Sequence, residues 1–172
     1  MKWLALVVVA SASLLSACED AGWLVAVNNT EGEIFFRTAA APEGPRMFAA
    51  QLTGDQENPP SGSDATGRAR FHLMQDGSLR WSLRTSGLDS VLAAHIHAGV
   101  VGQNGPVVVG LFGGPVQSDL NIRGEITDPG EVQAVLALFA ADSGYVNVHT
   151  TSFQGGEIRG QVVTKTTGGA ED

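Results

Sequence analysis

Residues 67–84, GRARFHLMQDGSLRWSLR, decide the class of fold. Apolar and polar side chains alternate on both sides of the central Gln75-Asp76-Gly77. The apolar positions are Ala69, Phe71, Leu73, Leu79, Trp81 and Leu83. Because successive side chains of a β-strand point to opposite faces, each half of the stretch has one apolar face. An Asp-Gly pair between two such runs is a strong hairpin signal. The stretch therefore predicts two antiparallel strands that bury one face and expose the other.

Similar strand patterns, separated by turns rich in glycine and proline, continue on both sides of this hairpin. With the hairpin included, we expect strands at residues 47–52, 67–74, 79–84, 93–98, 107–112, 120–127, 145–150 and 157–163. A chain of this kind, after removal of a leader, is long enough to bury an ordinary single core without disulfide bonds.

One segment, near residues 129–142, has the pattern of a helix. Asp128 suits the N-cap, Pro129 the first helical position, and Glu131 completes a capping box. Apolar residues then recur at helical spacing from Val132 to Phe139. About eight strands with one short crossover helix predict a mainly β fold, an antiparallel Greek-key-like β-sandwich.

The N-terminus has the features of an export signal. Lys2 precedes an apolar run that is too short to span a bilayer comfortably. Leu15-Ser16-Ala17-Cys18 then matches the bacterial lipobox, in which the cysteine thiol accepts a lipid. Cys18 is the only cysteine, so no intramolecular disulfide is open to it. We expect residues 1–17 to be a lipoprotein signal peptide and Cys18 to carry the lipid. The alternative is an ordinary signal peptide that happens to end near a cysteine.

The segments that flank the domain are less regular. Residues 18–46 contain two apolar runs around an Asn/Gly turn, so we expect a lipidated tether with a possible hairpin. A disordered spacer is the alternative. Residues 47–163 form the predicted domain, and residues 164–172 form a polar C-terminal tail. The protein would then be exported and anchored by lipid to a bacterial membrane, facing the periplasm or the outer surface.

The charge of the chain narrows the range of partners. The formal net charge is −8. No basic stripe is available to neutralise phosphates, which argues against nucleic acid as a partner. The expected partners are the membrane, through the lipid, and a protein or small ligand that the sequence does not identify.

Three of the four histidines are placed to form a cluster. His95 and His97 share one face of a predicted strand, and His149 shares a face with Asn147 on another. If the two strands pair, the three imidazoles converge. Three histidines form a workable ligand set for copper or zinc. The fourth histidine, His72, follows two arginines on an outward face and is predicted to lie on the surface.

The same histidines have a structural interpretation. Asn147, Glu157 and Arg159 are polar neighbours that could hold them in a hydrogen-bond network, since buried polar groups require partners. Glu157 and Arg159 fall on one face of the last strand, where an ion pair or a cross-strand pair is common. A site for another ligand is the third possibility. The sequence has no nucleophile elbow, phosphate loop or His-Glu-x-x-His motif, and we assign no catalytic residue.

Six blocks of sequence, in order, resemble the CHRD domain, a module first defined in chordin. They are FAAQLTG at residues 48–54, QENPP at 56–60, AHIHAG at 94–99, NGPVV at 104–108, YVNVHT at 145–150 and GEIRGQ at 156–161. The resemblance covers about residues 47–163. It implies a β-rich sandwich, immunoglobulin-like or dismutase-like, without an established enzymatic activity. The cysteine-rich modules that bind growth factors in chordin have no counterpart here, so growth-factor antagonism is not implied.

Two functions therefore remain open. The first is a cell-envelope lipoprotein whose CHRD domain is a non-catalytic binding or structural module with no established cofactor. The second is a copper- or zinc-binding or redox protein that uses His95, His97 and His149. A surface-assembly role through exposed strand edges is conceivable as a third.

Overall fold

The computed structural model describes residues 47–165, together with the backbone of β1 (Leu24–Asn28) and β2 (Ile34–Thr38). These two strands pair antiparallel and belong to a separate unit. The predicted signal peptide, the predicted lipidation residue Cys18 and the end of the predicted tail lie outside the described residues. No helix in the described part of the chain is long and apolar enough to cross a membrane.

The described domain contains nine strands, one α-helix and one 3₁₀ turn, Gly54–Gln56. The elements are β3 (Met47–Thr53), β4 (Thr66–Leu73), β5 (Leu79–Ser86), β6 (Val91–Ala98), β7 (Val107–Val116), β8 (Asn121–Ile126), α1 (Pro129–Ala140), β9 (Gly144–Thr150), β10 (Ile158–Gln161) and β11 (Val163–Lys165). The strands form one antiparallel sheet in the order β7-β6-β9-β10-β3-β4-β5-β8, and β11 also pairs with β3.

The predicted hairpin is β4 and β5. Phe71 lies opposite Trp81 in this hairpin. In the turn, the side chain of Asp76 accepts hydrogen bonds from both the backbone N–H and the hydroxyl of Ser78, at 3.0 and 2.7 Å. Gly77 takes a positive φ of 84°, which a residue with a side chain adopts only under strain. The local sequence thus closes the turn that the alternation requires.

Both halves of the sheet contribute side chains to one core. Ile96, Val146 and Val148 come from β6 and β9, and Leu52 and Phe71 come from β3 and β4. The two halves therefore face each other, and the connection between them is the pairing of β10 with β3. A mainly antiparallel β fold with one helix is confirmed, although all the described strands of the domain belong to one continuous sheet.

The helix covers part of this core and begins as predicted. Asp128 accepts a hydrogen bond from the N–H of Glu131 at 2.9 Å, and Pro129 is the first helical residue. Phe139 is fully buried, and its ring centroid lies 5.2 Å from that of Phe48 and 4.9 Å from that of Phe71. The helix thereby packs on the apolar face of β3 and β4.

The end of the domain differs from the single strand expected at residues 157–163. The chain pairs with β9 up to Gln161, and then β11 pairs with β3. The strand breaks at Val162, which is buried and donates its N–H to the carbonyl of Gly144 at 2.9 Å. As a result, Thr164 and Lys165 belong to a strand and not to the tail to which the sequence pattern assigned them.

Phe139→Ala is expected to lower the free energy of unfolding by about 3–5 kcal/mol, because it leaves a cavity between the helix and the sheet. Gln133→Ala, on the exposed side of the same helix, is the matched control and should change stability by less than about 0.5 kcal/mol. Urea denaturation of both variants measures the difference. Equal stabilities would contradict this account of helix packing.

Candidate metal-binding site

The histidine cluster lies on the face of β6 and β9 that points away from the core. His95 lies opposite Asn147, His97 opposite Tyr145, and His149 opposite Ala93. The intervening residues Ala94, Ile96, Val146 and Val148 are buried in the core. The strand pairing on which convergence depends is therefore present.

The three imidazoles are close to one another. Their ring centroids are 5.1 Å apart for His95 and His149, 5.6 Å for His95 and His97, and 5.8 Å for His97 and His149. One ring nitrogen from each lies within 4.8 Å of the other two. Because zinc–nitrogen bonds measure about 2.0–2.1 Å, two nitrogens on one zinc lie no more than about 4 Å apart. The rings must approach slightly to bind one ion.

Two of the rings are held by backbone carbonyls. Nδ1 of His97 lies 2.9 Å from the oxygen of Gly105, and Nδ1 of His149 lies 3.0 Å from the oxygen of Gln154. Since a carbonyl only accepts, we assign a proton to Nδ1 in both rings, which leaves a lone pair on Nε2. Metal-binding histidines are commonly oriented by such a bond from the other ring nitrogen.

Each ring also has a buried nitrogen without a protein partner. These atoms are Nδ1 of His95, Nε2 of His97 and Nε2 of His149. Burial lowers the pKa of all three histidines, and the other imidazoles lower it further at His95 and His149. At neutral pH the rings are therefore uncharged, which is the state that binds a metal.

A stack of planar groups adjoins the cluster. The ring of His97 lies on that of Tyr145, with centroids 5.0 Å apart and planes 13° from parallel. The guanidinium carbon of Arg159 lies 3.7 Å from the centroid of the same Tyr145 ring. Tyr145 therefore contacts one histidine of the cluster and a buried cation at the same time.

Arg159 also fixes the loop at residues 99–106. Its Nη1 donates to the side-chain oxygen of Asn104 at 3.0 Å, and its Nη2 donates to the carbonyls of Gln103 and Val100 at 2.9 and 3.3 Å. The loop carries Gly105, whose N–H donates to the hydroxyl of Tyr145 at 3.1 Å. Arg159 thereby positions the carbonyl that orients His97.

Glu157 does not pair with Arg159, contrary to one expectation from the sequence. Its two carboxylate oxygens accept hydrogen bonds from the hydroxyls of Ser63, at 2.7 Å, and Thr150, at 2.6 Å. Glu157 precedes β10, and these hydroxyls hold its carboxylate, while Arg159 turns to the loop carbonyls. Glu157 and Arg159 therefore make separate sets of hydrogen bonds.

Glu57 is a further polar residue of this region that the sequence analysis missed. Burial raises its pKa to about 7, although the charge of Arg159 acts in the opposite direction. Its Oε1 and the Oδ1 of Asn147 have no hydrogen-bond partner. A Cβ on Gly156 would lie 2.6 Å from that Oε1 and 2.5 Å from the Asn147 amide. The only signal for Glu57 was its place in the QENPP block.

Five of the expected site residues share one face of the sheet. His95, His97 and His149 come together, and Asn147 and Arg159 lie beside them on the same sheet face. His72 is exposed on β4, as predicted. Cys18 lies outside the described residues.

The fold and site define a mainly antiparallel β domain that carries a buried polar cluster on the outer face of β6, β9 and β10. A sequence model of the CHRD domain matches residues 48–162. The chain belongs to the CHRD family. No curated protein matches it significantly, and no solved structure does.

The lowered histidine pKa values predict that acid destabilises the metal-free domain. Below the ordinary histidine pKa of about 6.5, the unfolded chain binds protons that the folded cluster resists, so stability falls as pH falls from about 7 to 5. The loss should be smaller in His95→Ala/His97→Ala. Chemical denaturation of both proteins across this range, with chelator present, measures it.

The pH dependence of the variant's stability must be subtracted from that of wild type, because protonation of Glu57 changes the stability in the opposite direction. Its raised pKa makes the folded state bind more protons than the unfolded state, so its contribution to stability is lost as pH rises toward and beyond 7. Subtracting the variant from wild type cancels that contribution. Parallel stability curves would contradict the neutral histidine cluster.

Proposed function

We propose that this protein is a cell-envelope lipoprotein whose CHRD domain is a non-catalytic binding module, and that its ligand is a copper or zinc ion held by His95, His97 and His149. The observation that carries the proposal is that each of the three histidines places a ring nitrogen within 4.8 Å of the other two, and that each has a buried ring nitrogen without a protein partner. The family membership supports a binding or structural module.

The unpaired nitrogens favour a metal over a purely structural network. A network needs a donor for each acceptor. Two of the rings already use their Nδ1–H on backbone carbonyls, which leaves a lone pair on Nε2. The nearby Asn147 has an unpartnered oxygen, which is a further acceptor. A single cation bound by the three rings would take up the ring nitrogens that have no protein partner.

The ligand set supports binding more directly than hydrolysis. Three histidines with an open fourth position also occur in catalytic zinc sites. The two nearby carboxylates are Glu157, which is held by two hydroxyls, and Glu57, which lies against Asn147 and Gly156. We assign neither a role as a general base. A bound copper ion would supply one-electron chemistry, which is the redox form of the proposal.

The envelope location rests on the N-terminal sequence. An apolar run followed by Leu15-Ser16-Ala17-Cys18 supports export and lipid attachment at Cys18. Residues 18–46 would then separate the lipid from the domain. The cluster would be exposed to the periplasm or to the outer surface of the cell.

Metal binding is tested on the full chain, purified in detergent and stripped with chelator. After incubation with copper or zinc and desalting, wild type should retain about one ion per chain. With the free ion kept at about 100 times its Kd, wild type should gain about 2.7 kcal/mol of stability and unfold at a higher temperature. His95→Ala/His97→Ala should lose both effects. His72→Ala removes an exposed histidine of another strand and should retain them. Equal metal content in wild type and the double variant would refute this site.

Lipid attachment is tested by labelling cells with radioactive palmitate. Wild type should carry the label and sediment with membranes, whereas Cys18→Ala should lose both properties, because the thiol is the acceptor. Cys18 is the only cysteine, so no second thiol can substitute. Label on the alanine variant, or none on wild type, would refute the anchor.

A further inference from the structure

The histidine cluster offers a metal ion only neutral ligands. The group within ligand distance consists of His95, His97 and His149, without a carboxylate among the described residues. Imidazole suits both copper and zinc, so the donor atoms alone do not select between them. With neutral donors the full charge of the ion remains at the site. Burial of that charge is disfavoured, and more so for a divalent than for a monovalent ion.

A second positive charge is fixed beside the cluster. Arg159 is only 2% exposed. Its guanidinium donates to two carbonyls and one amide oxygen, and among the described residues no carboxylate lies within 4.0 Å of it. It rests on Tyr145, which stacks on His97. Only one aromatic ring therefore separates the guanidinium from a candidate ligand.

The field of this guanidinium reaches the cluster. The guanidinium carbon of Arg159 lies 3.7 Å from the centroid of the Tyr145 ring, and that centroid lies 5.0 Å from the centroid of His97, so the charge is less than about 9 Å from the His97 ring. A fixed positive charge at this distance disfavours a metal cation bound by His97. The repulsion is proportional to the charge of the ion, so it is twice as large for a divalent ion as for a monovalent one.

Resting on the metal site of the proposed function, we propose that the cluster selects cuprous copper, Cu(I), over Cu(II) and Zn(II), and that the buried cation Arg159 strengthens this selection. The neutral donors set the preference and the fixed positive charge increases it. Arg159 acts through space and through its hold on the Gly105 loop, so it is a positioning residue and not a ligand.

The test measures three affinities on the full chain in detergent. Cu(I) is added anaerobically in competition with bicinchoninate, and Cu(II) and Zn(II) are added separately in competition with chelators. Cu(I) should bind at least about 100-fold more tightly than Cu(II). Since a tenfold ratio corresponds to 59 mV for one electron, the midpoint potential of bound copper should lie at least about 120 mV above that of the aqueous couple. Zn(II) should also bind more weakly than Cu(I).

Variants of Arg159 separate charge from structure. Arg159→Gln should lower the ratio of Cu(I) to Cu(II) affinity about tenfold, because one nearby charge is removed. Arg159→Lys keeps the charge but not the three hydrogen bonds to the loop, so its ratio of Cu(I) to Cu(II) affinity should stay close to that of wild type even where both affinities fall. Arg80→Gln is the control, because Arg80 is a surface residue paired with Glu125. If the glutamine variant does not fold, the wild-type affinities decide the selection for Cu(I), and a folded lysine variant whose affinity ratio falls well below that of wild type refutes the role of the charge.

The outcomes distinguish the two proposals. No binding of any of the three ions, or binding unaffected by His95→Ala/His97→Ala, refutes the proposed function. Binding at the cluster with Cu(II) or Zn(II) as tight as Cu(I) refutes only the selection for Cu(I). An unchanged affinity ratio in a folded Arg159→Gln variant refutes the role of Arg159.

Discussion

The antiparallel register between β6 and β9 is the constraint on which the site depends. It places Ala94 opposite Val148 and Ile96 opposite Val146, all in the core. The same register sends His95, His97 and His149 to the other face. A shift of one residue would move the histidines into the core and expose the apolar side chains. The burial of one face therefore fixes the convergence of polar groups on the other.

On the outer face, hydrogen bonds to fixed polar groups hold the buried side chains of Arg159 and Glu157. Arg159 binds three oxygens of the loop that follows β6, and Glu157 binds two hydroxyls. Removal of one member of such a set leaves a buried polar group without a partner, at a cost of about 1–3 kcal/mol. Because the loop holds Gly105 against His97 and Tyr145, the orientation of His97 depends on contacts made by Arg159.

The features that the sequence predicted are those controlled by near neighbours. The hairpin around Asp76-Gly77 and the helix start at Asp128 rest on hydrogen bonds between residues two or three positions apart. The shared face of His95 and His97 follows from strand alternation alone. The contacts of the site span much longer separations, such as 55 residues between Arg159 and Asn104. No local pattern reports such a contact, which is why the partners of Arg159 were not foreseen.

Glu57 shows the same limit, since Gly156, which lies close to its Oε1, comes from a distant part of the chain. Access to the histidines also depends on residues that lack large side chains. Gly110 of β7 lies opposite His95, and a Cβ there would meet no atom within 4 Å. Ala93 lies opposite His149. A larger side chain at Gly110 would project from β7 beside His95, and one at Ala93 would project from β6 beside His149.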